Sequence, residues 1–154
     1  MNIHSFIELT STHKPQLLEL WNNGYPVELG YKSLSDFENY LNNLESPSHH
    51  FLADNEGDIK GWYFDFNRDS EKWFGIIVES SLHGKGLGRS LLNYAKSKET
   101  ELNGWVIDHQ NSQRMDGQLY QSPLEFYKKQ GFEVHSDIRL ELPEISAVKI
   151  HWRK

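Results

Sequence analysis

The segment WFGIIVESSLHGKGLGRS, Trp73–Ser90, decides the fold. It begins with an apolar run typical of a buried strand and then becomes a glycine-rich turn that opens an amphipathic helix. The three glycines, Gly84, Gly86 and Gly88, let the backbone approach a ligand closely because they carry no side chain. Free N–H groups and the positive end of the helix dipole face outward at such a helix start. The segment therefore predicts a phosphate-binding turn between a strand and a helix.

The glycine spacing distinguishes this turn from two other phosphate loops. A Walker loop requires Gly, four residues and then Gly-Lys-Ser/Thr, and a dinucleotide loop requires Gly-x-Gly-x-x-Gly. Here Lys85 lies between glycines, and Leu91 occupies the place of the third dinucleotide glycine when counted from Gly86. The spacing disfavours a nucleotide-binding domain. A glycine-rich turn without a ligand remains the simpler alternative.

The stretch from His83 to Gly88 resembles the pyrophosphate loop of the GNAT superfamily of N-acetyltransferases, with the pattern Gln/Arg-x-x-Gly-x-Gly/Ala. His83 stands at the Gln/Arg position, and Ser80 stands where a proline is usual. These differences concern side chains, whereas the resemblance implies that backbone N–H groups bind the pyrophosphate of acyl-CoA. The CoA-binding residues implied along this loop are His83, Gly84, Lys85, Gly86, Leu87, Gly88, Arg89 and Ser90.

A strand, a crossover helix and a second strand are predicted around this loop. The helix is expected from about Leu87 to Leu102, Asn103-Gly104 is expected to end it, and Trp105–Asp108 reads as a buried strand. Such a unit is right-handed with parallel strands, and ligands bind beyond the carboxyl ends of those strands. This edge carries three candidate bases, which are Glu79, Asp108 and His109.

A second motif lies at Ser122–Phe132. Ser122 is expected to cap a short helix, with Pro123 at its first position, Glu125 completing a capping box and Gly131 ending it. The sequence Phe-Tyr-x-x-x-Gly-Phe within it resembles the second GNAT signature, whose tyrosine commonly serves as general acid. The resemblance places that role on Tyr127. Read alone, the residue is better explained as a buried aromatic side chain on a helix that packs against a sheet, and its position after the glycine loop favours the catalytic role instead.

The rest of the chain predicts an α/β fold with the GNAT order of elements, as a single domain over residues 1–154. We expect a GNAT-like acyl-CoA N-acyltransferase fold, a mixed central sheet of about seven strands with helices on both faces. Ser46-Pro47-Ser48 is expected to end the second helix. The further strands predicted are Ile3–Leu9, Phe51–Ala53, Gly61–Phe66, Glu133–Leu142 and Ile145–Trp152, and the further helices are Thr10–Asn23 and Ser33–Leu44.

One segment departs from the compact family pattern. The family's asparagine leads almost directly into the tyrosine helix, whereas here Asn111 is followed by Ser112–Gln121 before that helix begins. The resemblance implies Asn111 as a CoA contact. The insert should turn at Asp116-Gly117, and it either overhangs the acceptor site or makes a solvated surface excursion.

Composition excludes several function classes. The net charge of −6 disfavours nucleic acid as a partner and suits a cationic amine. The absence of cysteine excludes disulfides and an acyl-cysteine intermediate, so acyl transfer should be direct. The eight histidines form no pair at helical zinc-ligand spacing, so we expect no metal. No membrane-spanning run or signal peptide is recognisable, and a cytoplasmic protein is expected.

Together these features predict an N-acetyltransferase that moves an acetyl group from acetyl-CoA to a primary amine of a small molecule or peptide. The resemblance implies that the backbone of Ile76, Ile77 and Val78 binds the pantetheine arm and polarises the thioester carbonyl. A non-catalytic acyl-CoA-binding domain of the same fold is the alternative, and a homodimer is one expected assembly. Four aromatic side chains are candidates either for the acceptor pocket or for packing, which are Trp21, Tyr25, Tyr31 and Tyr120.

Overall fold

A seven-stranded sheet in the order β1-β2-β3-β4-β5-β7-β6 forms the centre of the computed structural model, which describes residues 1–154. The strands are β1 Asn2–Phe6, β2 Glu45–Ala53, β3 Ile59–Arg68, β4 Glu71–Val78, β5 Glu101–Ile107, β6 Glu133–Leu142 and β7 Ile145–Arg153. The helices are α1 His13–Gly24, α2 Leu34–Asn42, α3 Leu87–Lys98 and α4 Leu124–Lys129, with short 3-10 turns at Val27–Leu29 and Ser80–Leu82. No helix has the length and apolar character needed to cross a membrane.

Helices cover both faces of the sheet, as the sequence predicted. Trp62 and Phe64 of β3 pack with α1 and α2 on one face, and Tyr63 packs with α3 on the other. Successive side chains of a strand point to opposite faces, so a strand that is covered twice is apolar almost throughout. This explains why Gly61–Phe66 is buried at every position.

The parallel pair β4 and β5 opens towards its carboxyl ends. All other neighbouring strands are antiparallel, and β4 and β5 are paired at one register position, Trp73 with Asn103. Beyond that position, the β5-facing backbone of Phe74–Val78 receives no ladder partner from β5. The sheet therefore has a gap at the end where the sequence analysis expected a ligand.

The predicted end of α3 was wrong. The helix ends at Lys98, and Asn103-Gly104 lies inside β5. Asn103 is fully buried, where its Nδ2 donates to the Lys72 carbonyl (3.1 Å) and its Oδ1 lies 2.8 Å from His151 Nδ1. Gly104 packs against the Phe74 ring, 3.0 Å from where its Cβ would stand. These contacts outweigh the turn preference of an Asn-Gly pair.

The expected role of Ser46-Pro47-Ser48 was also wrong. Helix α2 ends at Asn42, and this segment forms the irregular start of β2. The register with β3 shifts between Glu45 and Ser48, so Pro47 occupies a bulge that requires no ladder N–H. At the other end of α2, Ser33 accepts the Asp36 N–H (3.1 Å) and so caps the helix at the start expected from the sequence.

Helix α4 begins one residue later than the capping-box reading requires. Ser122 Oγ donates to the Ile107 carbonyl, and Glu125 pairs with Lys128 (3.1 Å) instead of reaching back to the cap. The predicted stop is confirmed, because Gly131 has a φ of +88° and the Phe132 N–H donates to the Tyr127 carbonyl (3.1 Å). The hydrogen bond from Ser122 to Ile107 ties the start of α4 to the carboxyl end of β5.

Candidate active site

The glycine turn presents open backbone donors. Gly84 and Gly86 both have a φ of +79°, and no atom lies within 4 Å of a Cβ built on either residue. Gly86 is the N-cap of α3 and carries no side-chain cap, so the first N–H groups of the helix lack an internal acceptor. Gly88 differs, because its φ is not positive and its Cβ would lie 3.6 Å from Phe126. The turn therefore offers an anion a helix N-terminus without side chains in the way.

His83 holds this turn against β4. Its Nε2 lies 2.8 Å from the Val78 carbonyl oxygen, so the ring donates a hydrogen bond to the last residue of the strand. The residue at the family's Gln/Arg position thus bonds inward to β4. Helix α3 begins at Leu87 and Gly88, close to the same strand end. A Cβ built on Gly88 would lie 3.9 Å from Val78 Cγ2.

Glu79 is held by two donors at the end of β4. Lys60 Nζ lies 3.2 Å from its Oε1, and Ser81 Oγ donates to its Oε2 (2.7 Å). The Ser81 hydrogen bond, reinforced by Lys60, keeps the pKa of Glu79 below its ordinary value despite partial burial. Glu79 is therefore ionised at neutral pH. Lys60 was missed from the sequence, because only the β3–β4 register places it beside Glu79.

The Asp108 carboxylate forms an ion pair with Arg139 of β6. Arg139 Nη1 and Nη2 lie 2.9 Å and 3.0 Å from its two carboxylate oxygens, which is bidentate geometry. These hydrogen bonds lower the pKa of Asp108. His109 Nδ1 accepts the Asn111 N–H (3.1 Å), which leaves its Nε2 free of protein partners. Of the three predicted base candidates, Asp108 is thus the most firmly engaged elsewhere.

Tyr127 lies on α4, 8% exposed, against the rings of Phe74, Phe126 and Phe132. The Tyr127 hydroxyl has no hydrogen-bond partner in the protein. Its oxygen is not completely buried, so solvent can reach it. Burial raises the pKa of Tyr127, and the neighbouring Tyr120 raises it further. Tyr127 is therefore protonated at neutral pH and has a proton to donate.

Two other tyrosines lie close to Tyr127. Burial raises the pKa of Tyr120 to about 12, and the pKa of Tyr25 is raised by burial and by repulsion from Tyr120 and Tyr127. Neither hydroxyl has a protein partner, and the Tyr25 oxygen lies 3.5 Å from a Cβ built on Gly75 of β4. Trp21, Tyr25 and Tyr31 all pack in or against the core on the α1 face, with the Trp21 and Tyr25 rings 4.7 Å apart. Of the four aromatic candidates, Tyr120 alone is absent from that core.

A cavity of about 550 Å³ lies at the end of β4; we call it the acidic cavity. Its wall contains the carboxylates of Glu19, Asp58, Glu79 and Asp116, with Lys60 as the one basic side chain. The remaining lining residues are Gln16, Leu20, Asn23, Gly24, Ile59, Val78, Ser80 and Ser81. Carboxylates exceed ammonium groups here, so the cavity attracts cations.

The insert Ser112–Gln121 is an ordered turn that reaches this cavity. The predicted Asp-Gly turn is confirmed, because Gly117 has a φ of +82° and the Arg114 N–H donates to the Gln118 carbonyl (2.8 Å). The Gln113 carbonyl accepts the Val27 N–H (2.9 Å), which fastens the insert to the connection after α1. Asp116 is thereby carried to the cavity wall.

A second acidic group lies in the turn between β2 and β3. Ligand atoms of Asp54, Glu56 and Asp58 lie within 4.8 Å of one another. Asp54 Oδ1 accepts the N–H groups of Glu56 (3.0 Å) and Asp58 (2.9 Å), so it already serves to close the turn. That the protein needs no metal stays a prediction.

Comparison with protein families agrees with this geometry. The family described as "Acetyltransferase (GNAT) domain" matches residues 46–134, which is more than half of the chain. The chain therefore belongs to the GNAT acetyltransferase family, and its mixed seven-stranded sheet is the fold of that family. A search of curated proteins found no match.

Solved structures share the fold over nearly the whole chain. An aminoglycoside 6'-N-acetyltransferase in complex with coenzyme A is 19% identical with a TM-score of 0.72, covering 99% of this chain and 97% of that one. A ribosomal-protein-alanine N-acetyltransferase from Brucella melitensis is 17% identical with a TM-score of 0.66, covering 100% of both chains. A phosphinothricin acetyltransferase from Sinorhizobium meliloti in complex with AcCoA is 12% identical with a TM-score of 0.67, covering 99% and 89%. These likenesses show the fold alone, and the acceptors named differ.

Proposed function

We propose that this chain transfers an acetyl group from acetyl-CoA directly to a primary amine. One arrangement carries the proposal: the uncapped glycine turn at α3 lies beside the gap between β4 and β5, where the Tyr127 hydroxyl has no protein partner. A phosphate site, an open strand edge and a buried acid are the three parts that a thioester donor requires.

The donor would lie across these parts in order. The N–H groups of residues 84–89 bind the pyrophosphate, because they lie at the start of α3 with the positive end of its dipole. The Ser90 N–H is not available, because it donates to the Gly86 carbonyl (3.0 Å). The backbone of Ile76–Val78 pairs with the pantetheine arm as an added strand would. An N–H near Val78 then polarises the thioester carbonyl.

The amine must lose a proton before it attacks. Glu79 is preferred to Asp108 for this step, since Arg139 holds both oxygens of Asp108. The low pKa of Glu79 keeps it ionised, so it can accept the proton directly or through a water, and its charge also attracts the ammonium form of the amine beforehand. His109 is the second candidate, through its free Nε2.

Transfer then forms one bond and breaks another. The amine nitrogen attacks the carbonyl carbon, the new C–N bond forms, and the C–S bond of the thioester breaks. Tyr127 donates its hydroxyl proton to the departing thiolate. The attacking nitrogen, now an amide, releases its second proton to solvent, and Tyr127 is reprotonated from solvent. The chain has no cysteine, so the acetyl group passes directly between donor and acceptor.

The test is to measure CoA thiol release from acetyl-CoA with a panel of amines. Polyamines, amino acids, aminoglycosides and peptide N-termini cover the chemical range. The absence of cysteine removes protein background from a thiol reagent. Amine-dependent release above hydrolysis supports the proposal. Tight acetyl-CoA binding without release for any amine would instead favour a non-catalytic acyl-CoA-binding domain.

A further inference from the structure

Two histidines lie close together on the strands β6 and β7, outside the proposed acyl-transfer site. The ring centres of His135 and His151 are 5.7 Å apart. The strand register adds a third member to this group, because Glu133 lies directly opposite His151 and two positions before His135 on β6. Directly opposite residues, and residues two apart on one strand, share a face of a sheet. Two imidazoles and a carboxylate, all groups that bind transition metals, are thus neighbours on one face.

The spacing of these groups resembles that of ligands around one tetrahedral zinc ion. Zinc binds nitrogen and oxygen ligands at about 2.0–2.2 Å, so two such atoms on one ion lie about 3.3–3.6 Å apart and two imidazole ring centres about 5–6 Å apart. Glu133 Oε2 lies 3.6 Å from His135 Nε2, and the two ring centres also have the required separation.

A side-chain rotation is still needed to close the group around an ion. The ligand atoms of the three residues are not all within 4.8 Å of one another. Glu133 and His135 must therefore turn towards His151. Both can do so, because their side chains are 80% and 32% exposed.

The orientation of His151 is fixed by a buried amide. Asn103 is fully buried, and its Nδ2 donates to the Lys72 carbonyl (3.1 Å), so its Oδ1 is the atom that accepts from His151 Nδ1 (2.8 Å). The neutral ring therefore has its proton on Nδ1 and its lone pair on Nε2. Because β5 and β6 flank β7 on opposite sides, a ring whose Nδ1 faces β5 presents Nε2 towards β6. A hydrogen bond that fixes the ring and its tautomer in this way is the usual support of a metal-binding histidine.

The charges around the histidine pair favour a cation. Lys149 lies opposite His135, but its Nζ bonds to Glu71 of β4 (3.4 Å) and lies 5.4 Å from the Trp73 ring. Strand β4 is on the far side of β7 from β6, so this ammonium group points away from the pair. No lysine or arginine pairs with Glu133, whose one ionic partner is His135. The carboxylate therefore leaves uncompensated negative charge beside two neutral ligands.

We propose that Glu133, His135 and His151 bind a zinc ion, through one carboxylate oxygen and the Nε2 atoms of both imidazoles. Imidazole ligands suit zinc, whereas calcium and magnesium prefer oxygen ligands alone. The ion would join the edge strand β6 to β7. It would take no part in acyl transfer, because Asn103 beside His151 marks the closed end of the gap between β4 and β5. The proposal therefore goes beyond the proposed function and does not depend on it.

The spacing along the sequence could not reveal this group. Its two histidines come from different strands, and the expectation of no metal considered helical spacing. If the proposal is correct, that expectation is wrong.

The test is a calorimetric titration of zinc chloride into the full chain, without a histidine tag and without CoA. We expect one zinc ion to bind per chain, and the variants H135Q and H151Q to lose about tenfold or more in zinc affinity. H135Q is the decisive variant, because the contact of His135 with Glu133 is its one polar contact in the protein and the fold does not depend on it. The control is H4Q, at an exposed histidine of β1, which should bind zinc as the parent does.

Two further measurements examine the geometry. Zinc that binds the folded chain alone should raise the Tm of the parent as its concentration rises, and it should raise the Tm of H135Q much less. In nitrogen NMR spectra of the imidazoles, zinc should shift Nε2 of His151 while Nδ1 stays protonated. Coordination through Nδ1 of His151 would contradict the proposal, because Asn103 holds that atom.

The outcomes are distinct. No zinc binding by the parent, or unchanged zinc affinity in both histidine variants, would overturn the proposal. Zinc affinity that is lost in E56Q and kept in H135Q would assign the ion to the turn of Asp54, Glu56 and Asp58, and would overturn the proposal as well. None of these results touches the proposed function, which the amine screen with acetyl-CoA tests separately.

Discussion

Lys60 Nζ lies 3.2 Å from Glu79 Oε1, where Lys60 belongs to β3 and Glu79 directly follows β4 at the edge of the acidic cavity. The Ser81 hydroxyl holds the other carboxylate oxygen of Glu79 (2.7 Å). This pair of contacts keeps Glu79 ionised and oriented. Its chemical consequences can be measured in the pH dependence of acyl transfer.

We expect S81A to move the acidic limb of the kcat/KM–pH profile to higher pH. Ser81 is the largest cause of the lowered pKa of Glu79, and removing a donor to the ionised form raises that pKa. The fraction of ionised Glu79 at pH 5 then falls, and the rate at that pH falls with it. An acidic limb at the same pH in S81A and the parent would show that Glu79 is not the titrating base. S97A, on the exposed side of α3, is the control.

Replacement of Gly86 by valine should weaken acetyl-CoA binding by more than tenfold. Gly86 has a φ of +79° and faces open space, so a side chain would fill the position that the pyrophosphate requires. The strained backbone should also cost about 1–2 kcal/mol of unfolding free energy. Calorimetric titration and chemical denaturation measure the two effects separately.

The matched control for Gly86 is G57V. Gly57 has a φ of +87° and equally open surroundings, but it lies in the β2–β3 turn. We expect the same loss of stability there with unchanged acetyl-CoA affinity. If both variants lose acetyl-CoA affinity equally, the loss in G86V comes from backbone strain, and the assignment of this turn as a phosphate loop is wrong. Gly88 is less informative, because its φ is not positive.

Replacement of Tyr127 by phenylalanine should lower kcat about 10²- to 10⁴-fold while leaving acetyl-CoA affinity unchanged. Phenylalanine keeps the ring contacts with Phe74 and Phe132 and removes only the proton. The matched control is Y40F, because burial raises the pKa of Tyr40 as well and Tyr40 lies on α2, where it packs against the core on the α1 face. A loss of thermal stability in Y127F with unchanged turnover would indicate a packing role alone.

His49 should make the protein less stable in mild acid. Its Nδ1 accepts the Trp62 indole N–H (3.1 Å), and burial lowers its pKa to about 4 from an ordinary 6.5. The unfolded chain therefore binds a proton at this residue before the folded chain does, so stability falls as pH drops from about 6.5 towards 4. The loss is on the order of 3 kcal/mol. Chemical denaturation at pH 7 and pH 4.5 checks this prediction. Between these pH values the unfolding free energy of the parent should fall by more than that of H49Q, whereas H4Q, at an exposed histidine, should lose as much as the parent.

Much of the fold was predictable because its signals are local. The glycine turn at residues 84–88, the Ser33 cap, the Gly131 stop and the Asp116-Gly117 turn are conformations that a few adjacent residues determine through their own φ preferences and side-chain bonds. The strand β3 was likewise predictable from its largely apolar run, Gly61–Phe66, which Asp65 alone interrupts.

The errors occurred where distant contacts outweighed local preference. Asn103-Gly104 has the local character of a helix stop, yet Lys72 and His151 satisfy the Asn103 side chain inside β5. Pro47 has the character of a strand breaker, yet a bulge in β2 removes the need for its N–H. In both cases the deciding partners lie at least 17 positions away in sequence.

The family, the glycine turn before α3 and the tyrosine helix can all be read from the amino-acid sequence, because each depends on residues that are neighbours in the chain. The contact of Arg139 with Asp108, that of Lys60 with Glu79, and the position of Asp116 at the acidic cavity emerge only from the folded chain. Those relationships follow from strand register and from the attachment of the insert to Val27. The charge of a site is a sum over side chains that the fold assembles, and no local pattern encodes that sum.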